Sequence, residues 1–331
     1  MNLQTYVHIP KASFDISHRS AMLLLGSCFS ENMGKKLLEN KFSVQVNPFG
    51  ILYNPHSISK AINRLLNKDL FSEKDFVLYD SMYHSFMHHG SFSKIKLSDA
   101  IKNANDDFKK ASAQLQRADL FLITFGTSYV FKWKESGKVV GNCHKIPAYK
   151  FERERLSPEE IFSTWSNLIS RIIALNPHLK LIFTVSPIRH FKDGAHQNQL
   201  SKAILHLSID SLMNKFPENA FYFPSYEIIM DQLRDYRFYT NNMLHPTTLA
   251  QNYIWERFEE TYFSDETLQI NKEWGEVRHS LTHKPYNPNS DAYQQFLRRT
   301  FDELEAFEER YTFLSCFDEK QKLTQLLKNT F

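Results

Sequence analysis

Leu23-Leu24-Leu25-Gly26-Ser27-Cys28-Phe29-Ser30-Glu31-Asn32 is an apolar run that stops at a glycine, followed by two small nucleophilic side chains and a polar segment able to open a helix. The implied shape is strand, tight turn, helix. A side chain on such a turn is exposed at the end of a parallel strand, beside the free N–H groups and the positive dipole end of the next helix. A thiol there is expected to be drawn toward thiolate, and a carbonyl oxygen turning anionic would find donors nearby. The same residues also suit a plain strand end, with Cys28 a small buried hydrophobe.

Outward from this turn, apolar strands alternate with amphipathic helices. Strands are expected at Met22–Gly26, Ser43–Val46, Asp119–Thr124, Lys180–Ser186 and Ala220–Phe223. Helices are expected over Glu31–Asn40, after Asn54-Pro55, over residues 98–116, from Ser157, around Gln199–Asn214 and after His245-Pro246. Ser157-Pro158-Glu159-Glu160 combines a cap, a proline at the first helical position and a glutamate three residues on. Tyr129–Lys134 and Lys138–Val140 suit a small hairpin, and residues 71–97 read as irregular.

This alternation predicts an α/β fold, a parallel sheet covered by helices on both faces. Ligands in such folds sit outside the carboxyl ends of the strands. Gly26-Ser27-Cys28, Gly126-Thr127-Ser128 and Ser186-Pro187 all fall at strand ends and should converge on one crevice.

After residue 263 the pattern changes. Ile270, Trp274, Val277 and Leu281 share one helical face, Pro285 and Pro288 interrupt, and Tyr293, Leu297, Phe301, Leu304, Phe307 and Tyr311 share another. The expected organisation is an α/β domain over residues 1–262 and a C-terminal helical hairpin over 263–331. The hairpin either packs on the core or offers a face for a homodimer.

Composition excludes several classes. With nine glycines and no GxGxxG or GxxxxGK[ST], a dinucleotide or P-loop site has no support. A net charge of +3 without a dense basic cluster gives none to nucleic-acid binding. Cys28, Cys143 and Cys316 are too few and too scattered for a disulfide framework or a CxxC site, which points to a reducing compartment. No stretch reaches the length of a membrane span, and Met1–Ser17 lacks the apolar core of a signal peptide. A cytoplasmic protein without membrane attachment is the expectation. His84, His88, His89, His144 and His190 match no zinc spacing, so neither metal nor other cofactor is expected.

His245 stands before Pro246 at a helix entrance, with Asn242 three residues earlier. A histidine base needs a partner that fixes its tautomer, and a residue three back on a turn can reach it. Asn142-Cys143-His144-Lys145 reads as a loop that either lines the pocket or places Cys143 as filler with His144 outside. Arg189-His190, just past a strand end, suits substrate contact, since arginine there can hold an anion.

Gly26-Ser27-Cys28-Phe29 with Ser30-Glu31-Asn32 resembles the signature of the GSCFA-domain proteins, grouped with the SGNH/GDSL-like hydrolases. Asn47-Pro48-Phe49-Gly50, Asn142-Cys143-His144-Lys145, Thr184-Val185-Ser186-Pro187, Pro224-Ser225-Tyr226-Glu227 and Met243-Leu244-His245-Pro246 look like the same family, which covers roughly residues 3–262. The resemblance implies a flavodoxin-like three-layer α/β/α sandwich and ester-type hydrolysis. It also implies roles: a nucleophile at Cys28 or Ser27, an oxyanion N–H from Gly50, a third block at Gly126-Thr127-Ser128, and a base at His245. Ser128 stands where an asparagine donor would be expected, and Asn242 where an acid would be. A Cys28–His245–Asn242 set tolerates that loss better than a serine set, because a thiolate–imidazolium pair needs orientation more than a buried acid. The expected activity is hydrolysis of an ester or thioester, such as an acylated carbohydrate or lipid-derived compound. An acyltransferase and a non-catalytic binding protein are the alternatives.

Overall fold

The structure, a computed structural model, describes residues 5–328. The chain divides into two compact units. One comprises Ala21–Lys36 and Val44–Phe258 with the residues up to Pro10; the other comprises Lys11–Ser20, Leu37–Ser43 and the chain from Glu259 onward.

Along the chain β1 (Met22–Gly26) leads into α1 (Cys28–Glu39), then β2 (Val44–Val46), α2 (Pro55–Asn67), a hairpin of β3 (Val77–Tyr79) and β4 (Met82–His84), and α3 (Leu97–Gln116). There follow β5 (Leu120–Phe125), β6 (Tyr129–Trp133), β7 (Lys138–Val140), β8 (Phe151–Arg155), α4 (Pro158–Leu175), β9 (Lys180–Val185), α5 (Ala195–Lys215), β10 (Ala220–Tyr222), the short α6 (Ser225–Glu227) and α7 (Thr248–Tyr262). The main sheet has the order β2-β1-β5-β9-β10, with every pairing parallel.

Helices cover both faces, giving the expected three-layer α/β/α fold. Alternate strand residues separate the faces. Leu23, Leu25, Phe121, Ile123, Phe125, Phe183 and Val185 pack with α2, α3, α4 and α5 around Trp165. On the opposite face Ser30 of α1 donates to Thr124 Oγ1 (2.7 Å), and Thr184 and Ser225 hydroxyls meet at 2.6 Å.

The helix starts follow the local chemistry. Asn54 Oδ1 accepts the Ser57 N–H (2.8 Å) ahead of Pro55. In α4 Ser157 Oγ accepts the Glu160 N–H (3.2 Å), and Glu160 accepts the Ser157 N–H (2.7 Å). Helix α1 begins at Cys28 rather than Glu31, so Cys28 occupies its first turn.

Two additions depart from the sequence reading. Residues 71–97 contain the β3–β4 hairpin, turned by Asp80 and Ser81 at positive φ, a pair without the usual Asn-Gly signal. The β6–β7 hairpin gains a third strand, β8, whose Phe-Glu-Arg-Glu-Arg sequence carries little apolar alternation.

In the second unit, α8 (Asp265–Thr282) and α9 (Asp291–Arg310) match the two expected helices, and a further helix, α10 (Phe317–Lys328), also packs on α9. Trp274, Leu297, Leu304, Phe307 and Leu314 form their core. Leu323 of α10 is buried and Leu327 packs against the same core, a helical spacing that the expected two-helix hairpin did not include. Among the described residues no helix is long and apolar enough to cross a membrane.

Candidate active site

The chain steps outward from β1 to β2, then returns past β1 to β5, so the direction of winding reverses between β1 and β5. Such a switch point opens a crevice at the carboxyl ends of the strands. A cavity of about 690 Å³ lies there, with Ser27, Cys28, Tyr53, Asn54, Thr127 and His245 on its wall.

Gly26 makes the first turn possible. Its φ is +147°, and a Cβ would sit 2.3 Å from the Thr124 carbonyl oxygen. Its N–H donates to Asn47 Oδ1 (2.9 Å). Ser27 is buried, and its hydroxyl accepts the Phe29 N–H (3.2 Å), so it caps α1. Cys28 is half-buried, with a free thiol on the wall. Burial pushes this thiol up from its ordinary value, and Glu31 adds to the effect. The N–H groups of Cys28 and Phe29 and the Lys202 ammonium pull the other way without reversing it. The expected drift toward thiolate is therefore not met: desolvation outweighs the helix start.

The Tyr53 carbonyl accepts two N–H groups, from Gly126 (2.8 Å) and Thr127 (3.0 Å). The turn after β5 thus has both of these backbone donors engaged. Gly50 lies off the cavity wall, and its N–H is bonded to the Asn47 carbonyl (2.7 Å). Ser128 is fully buried, with its N–H (2.8 Å) and hydroxyl (3.1 Å) on Ser201 Oγ. Thr127 reaches the wall and meets the same Ser201 hydroxyl at 3.1 Å.

Side-chain amides are available instead. Asn54 uses Oδ1 to cap α2, and Asn142 uses Oδ1 to accept the His144 N–H (2.8 Å). Both residues line the cavity, and neither Nδ2 has a hydrogen bond among the described residues. Cys143 is on the wall, its thiol pushed up to about 11 by burial. His144 points elsewhere: its Nε2 meets the Ser85 carbonyl (2.8 Å), and its ring lies 4.7 Å from that of His84.

Arg189, His190, Phe191 and Lys192 follow β9 along the wall. The His190 ring is edge-on to Tyr53 at 5.7 Å, and its Nε2 is buried without a partner among the described residues. Burial holds it at about 4, helped by the charges of Lys202, His245 and Arg153, so it is neutral. Arg153 of β8 grips Asp193 through its two terminal guanidinium nitrogens and lies over the Tyr129 ring at 4.0 Å.

His245 and Asn242 meet, as their spacing predicted. Asn242 Nδ2 is 2.7 Å from His245 Nδ1. Its Oδ1 accepts the N–H groups of Leu244 (2.9 Å) and His245 (3.0 Å), which fixes the amide's orientation. Nδ1 is therefore the acceptor, and the neutral ring carries its hydrogen on Nε2. His245 shares the cavity wall with Cys28, and no hydrogen bond joins it to Cys28 or Ser27 among the described residues.

Lys202 is the residue that sequence reasoning missed. It is fully buried, and its Nζ donates to the carbonyls of Gly126 (2.9 Å) and Ser186 (2.7 Å), tying the ends of β5 and β9 together. Burial lowers it to about 7, while the nearby Cys28 thiolate would raise it. The signal was present: Lys202 falls in register with Leu205, Ile209 and Leu212 on the buried stripe of α5.

No curated protein matches this sequence. Residues 21–258, most of the chain, match the GSCFA family, and residues 274–329 match the C-terminal domain of GSCFA domain proteins. The chain with this thiol-bearing turn after its first strand therefore belongs to the GSCFA family.

Proposed function

We propose that this protein is a cysteine-dependent acyl hydrolase of the SGNH/GDSL type, cleaving an ester or thioester through an acyl-Cys28 intermediate. The observation that carries the reading is the place of Cys28: on the first turn of α1, half-buried, on the wall of a switch-point cavity that His245 also lines. Ser27 is less suited, because its hydroxyl is buried and committed to capping α1. The free thiols of Cys28, Cys143 and Cys316 fit a reducing, cytoplasmic setting.

In the proposed reaction the Cys28 sulfur bonds to the acyl carbon and the bond to the leaving group breaks. The thiol proton passes through His245 to that leaving group. Water then attacks the thioester, giving up a proton that returns to the Cys28 sulfur, and the carboxylic acid departs. An alcohol in place of water makes the same site an acyltransferase. The oxyanion would meet the N–H at the open start of α1 and the Nδ2 groups of Asn54 and Asn142. To receive a proton on Nε2, the ring must first carry its hydrogen on Nδ1, facing an oxygen. Asn242 must then turn its amide and release the Leu244 and His245 N–H groups, each bond worth about 1 kcal/mol net.

That amide orientation and the raised Cys28 thiol are what favour a second reading, a binding protein that keeps the cavity without turnover. Hydrolysis of p-nitrophenyl acetate and a matching thioester by wild type, Cys28→Ala, Ser27→Ala and His245→Ala separates the two. The hydrolase reading expects turnover that survives only in Ser27→Ala, with an acyl adduct on Cys28 by mass spectrometry. Loss with Ser27→Ala and persistence in Cys28→Ala would return the role to serine. No adduct and no turnover across a panel of acyl donors would leave the binding reading.

A further inference from the structure

We propose that the cavity takes an acyl compound that carries an anionic group, carboxylate or phosphate, held by Arg189 and Lys192 while the acyl chain lies on the apolar wall. The inference rests on the reading of Cys28 as the acyl acceptor and adds the class of substrate. Three cationic side chains line the cavity, Arg153, Arg189 and Lys192, and among the described residues no aspartate or glutamate does. Arg153 is neutralised by Asp193. Arg189 and Lys192 make no ion pair among the described residues, and Asp193, the carboxylate that Lys192 acts on, is already gripped by Arg153, which leaves a net excess of positive charge along this stretch of wall.

Both charges rest on aromatic faces. The Arg189 guanidinium lies 4.9 Å from the Phe191 ring centre, and Lys192 Nζ lies 5.5 Å from that of Phe131. Such stacking holds a flexible cation in place at little hydration cost, so less ordering is left for the ligand to impose. The start of α1, which carries Cys28 onto the same wall, adds positive potential. Val140, Ile146, Phe151, Ile188 and Leu244 give the wall an extended apolar part, and the cavity volume of about 690 Å³ far exceeds an acetyl group. A neutral sugar would favour carboxylates that accept from its hydroxyls, and the described wall offers none.

The anion can sit on the acyl group or on the leaving group, and two probes distinguish them. Mono-p-nitrophenyl succinate carries it on the acyl side, acetyl coenzyme A on the leaving side. Their neutral counterparts are p-nitrophenyl methyl succinate and S-acetyl-N-acetylcysteamine. Affinity is measured by calorimetry on Cys28→Ala, which cannot acylate at that position. The expected result is at least tenfold tighter binding of one anionic probe over its neutral counterpart. That preference should shrink severalfold in Cys28→Ala proteins also carrying Arg189→Gln or Lys192→Gln, recover partly with Arg189→Lys, and weaken as salt rises. Equal or weaker binding of both anionic probes overturns the inference. Acyl transfer to wild-type Cys28 is scored separately: absent acylation with an intact anion preference removes the hydrolase reading and leaves the anion site standing.

Discussion

Asn242 Nδ2 stands 2.7 Å from His245 Nδ1 while the same amide's Oδ1 is held by the backbone N–H groups of Leu244 and His245. The contact fixes the imidazole but selects the form with hydrogen on Nε2, opposite to the one a base facing the cavity requires. An aspartate at 242 would keep one oxygen for the backbone and offer the other to Nδ1–H, stabilising the imidazolium. Asn242→Asp should therefore raise kcat/KM for an activated ester by about tenfold or more, a fraction of the roughly 10⁴ seen when a serine enzyme loses its acid. Nitrogen-15 NMR of the ring should show the hydrogen moving from Nε2 to Nδ1. An unchanged tautomer and rate would place His245 outside the reaction.

The Cys28 thiol is pushed up chiefly by burial, with Glu31 in the same direction. Alkylation of Cys28 by iodoacetamide should be slow at pH 7 and still rising beyond the ordinary cysteine range. It should nevertheless stay ahead of Cys143, whose thiol sits at about 11. Glu31→Gln should shift the Cys28 curve to lower pH. Peptide-resolved mass spectrometry gives each curve, and a plateau already reached at pH 7 contradicts the expectation.

Lys202 falls from 10.5 to about 7 on burial. Between these values the unfolded chain binds a proton that the folded chain does not, so this group makes stability rise with pH from about 7 to about 10.5. The gain is on the order of a few kcal/mol. Denaturant melts of wild type and Lys202→Met across that range should differ in slope, with the variant losing this rise. Parallel curves would mean that Lys202 keeps its charge in the fold.

Gly26→Ala should destabilise the first unit by roughly 3 kcal/mol or more, because it combines a left-handed φ with a Cβ 2.3 Å from a carbonyl oxygen. A drop in the denaturation midpoint equivalent to less than about 1 kcal/mol would show that the turn can relax.

What the sequence made legible was local. The turn at Gly26-Ser27-Cys28, the cap at Ser157 and the Asn242–His245 contact each depend on residues within a few positions of one another. The sheet followed because the apolar runs of β1, β5 and β9 are buried on both faces. What was hidden depends on long-range closure. Nothing near Tyr53 announces that its carbonyl takes both Gly126 and Thr127, and nothing near Gly50 announces that its N–H belongs to Asn47. Ser128 looked available until Ser201, from a helix much later in the chain, claimed its donor and hydroxyl. The thiol's direction was hidden for a related reason. The helix start is visible in sequence, whereas the depth of burial that outweighs it is not.

Asn47 ties its own loop to a turn 21 residues earlier, since its Oδ1 receives the Gly26 N–H while its carbonyl receives that of Gly50. The nucleophile-bearing turn is consequently not a portable motif. A chimaera that imports Gly26-Ser27-Cys28 without Asn47 would graft a loop with its first amide unanswered, and one that omits Tyr53 would also release the exit of β5. The smallest transplantable piece runs from Leu23 to Tyr53, and a recipient must supply a strand end equivalent to Gly126-Thr127 before that piece can hold its shape.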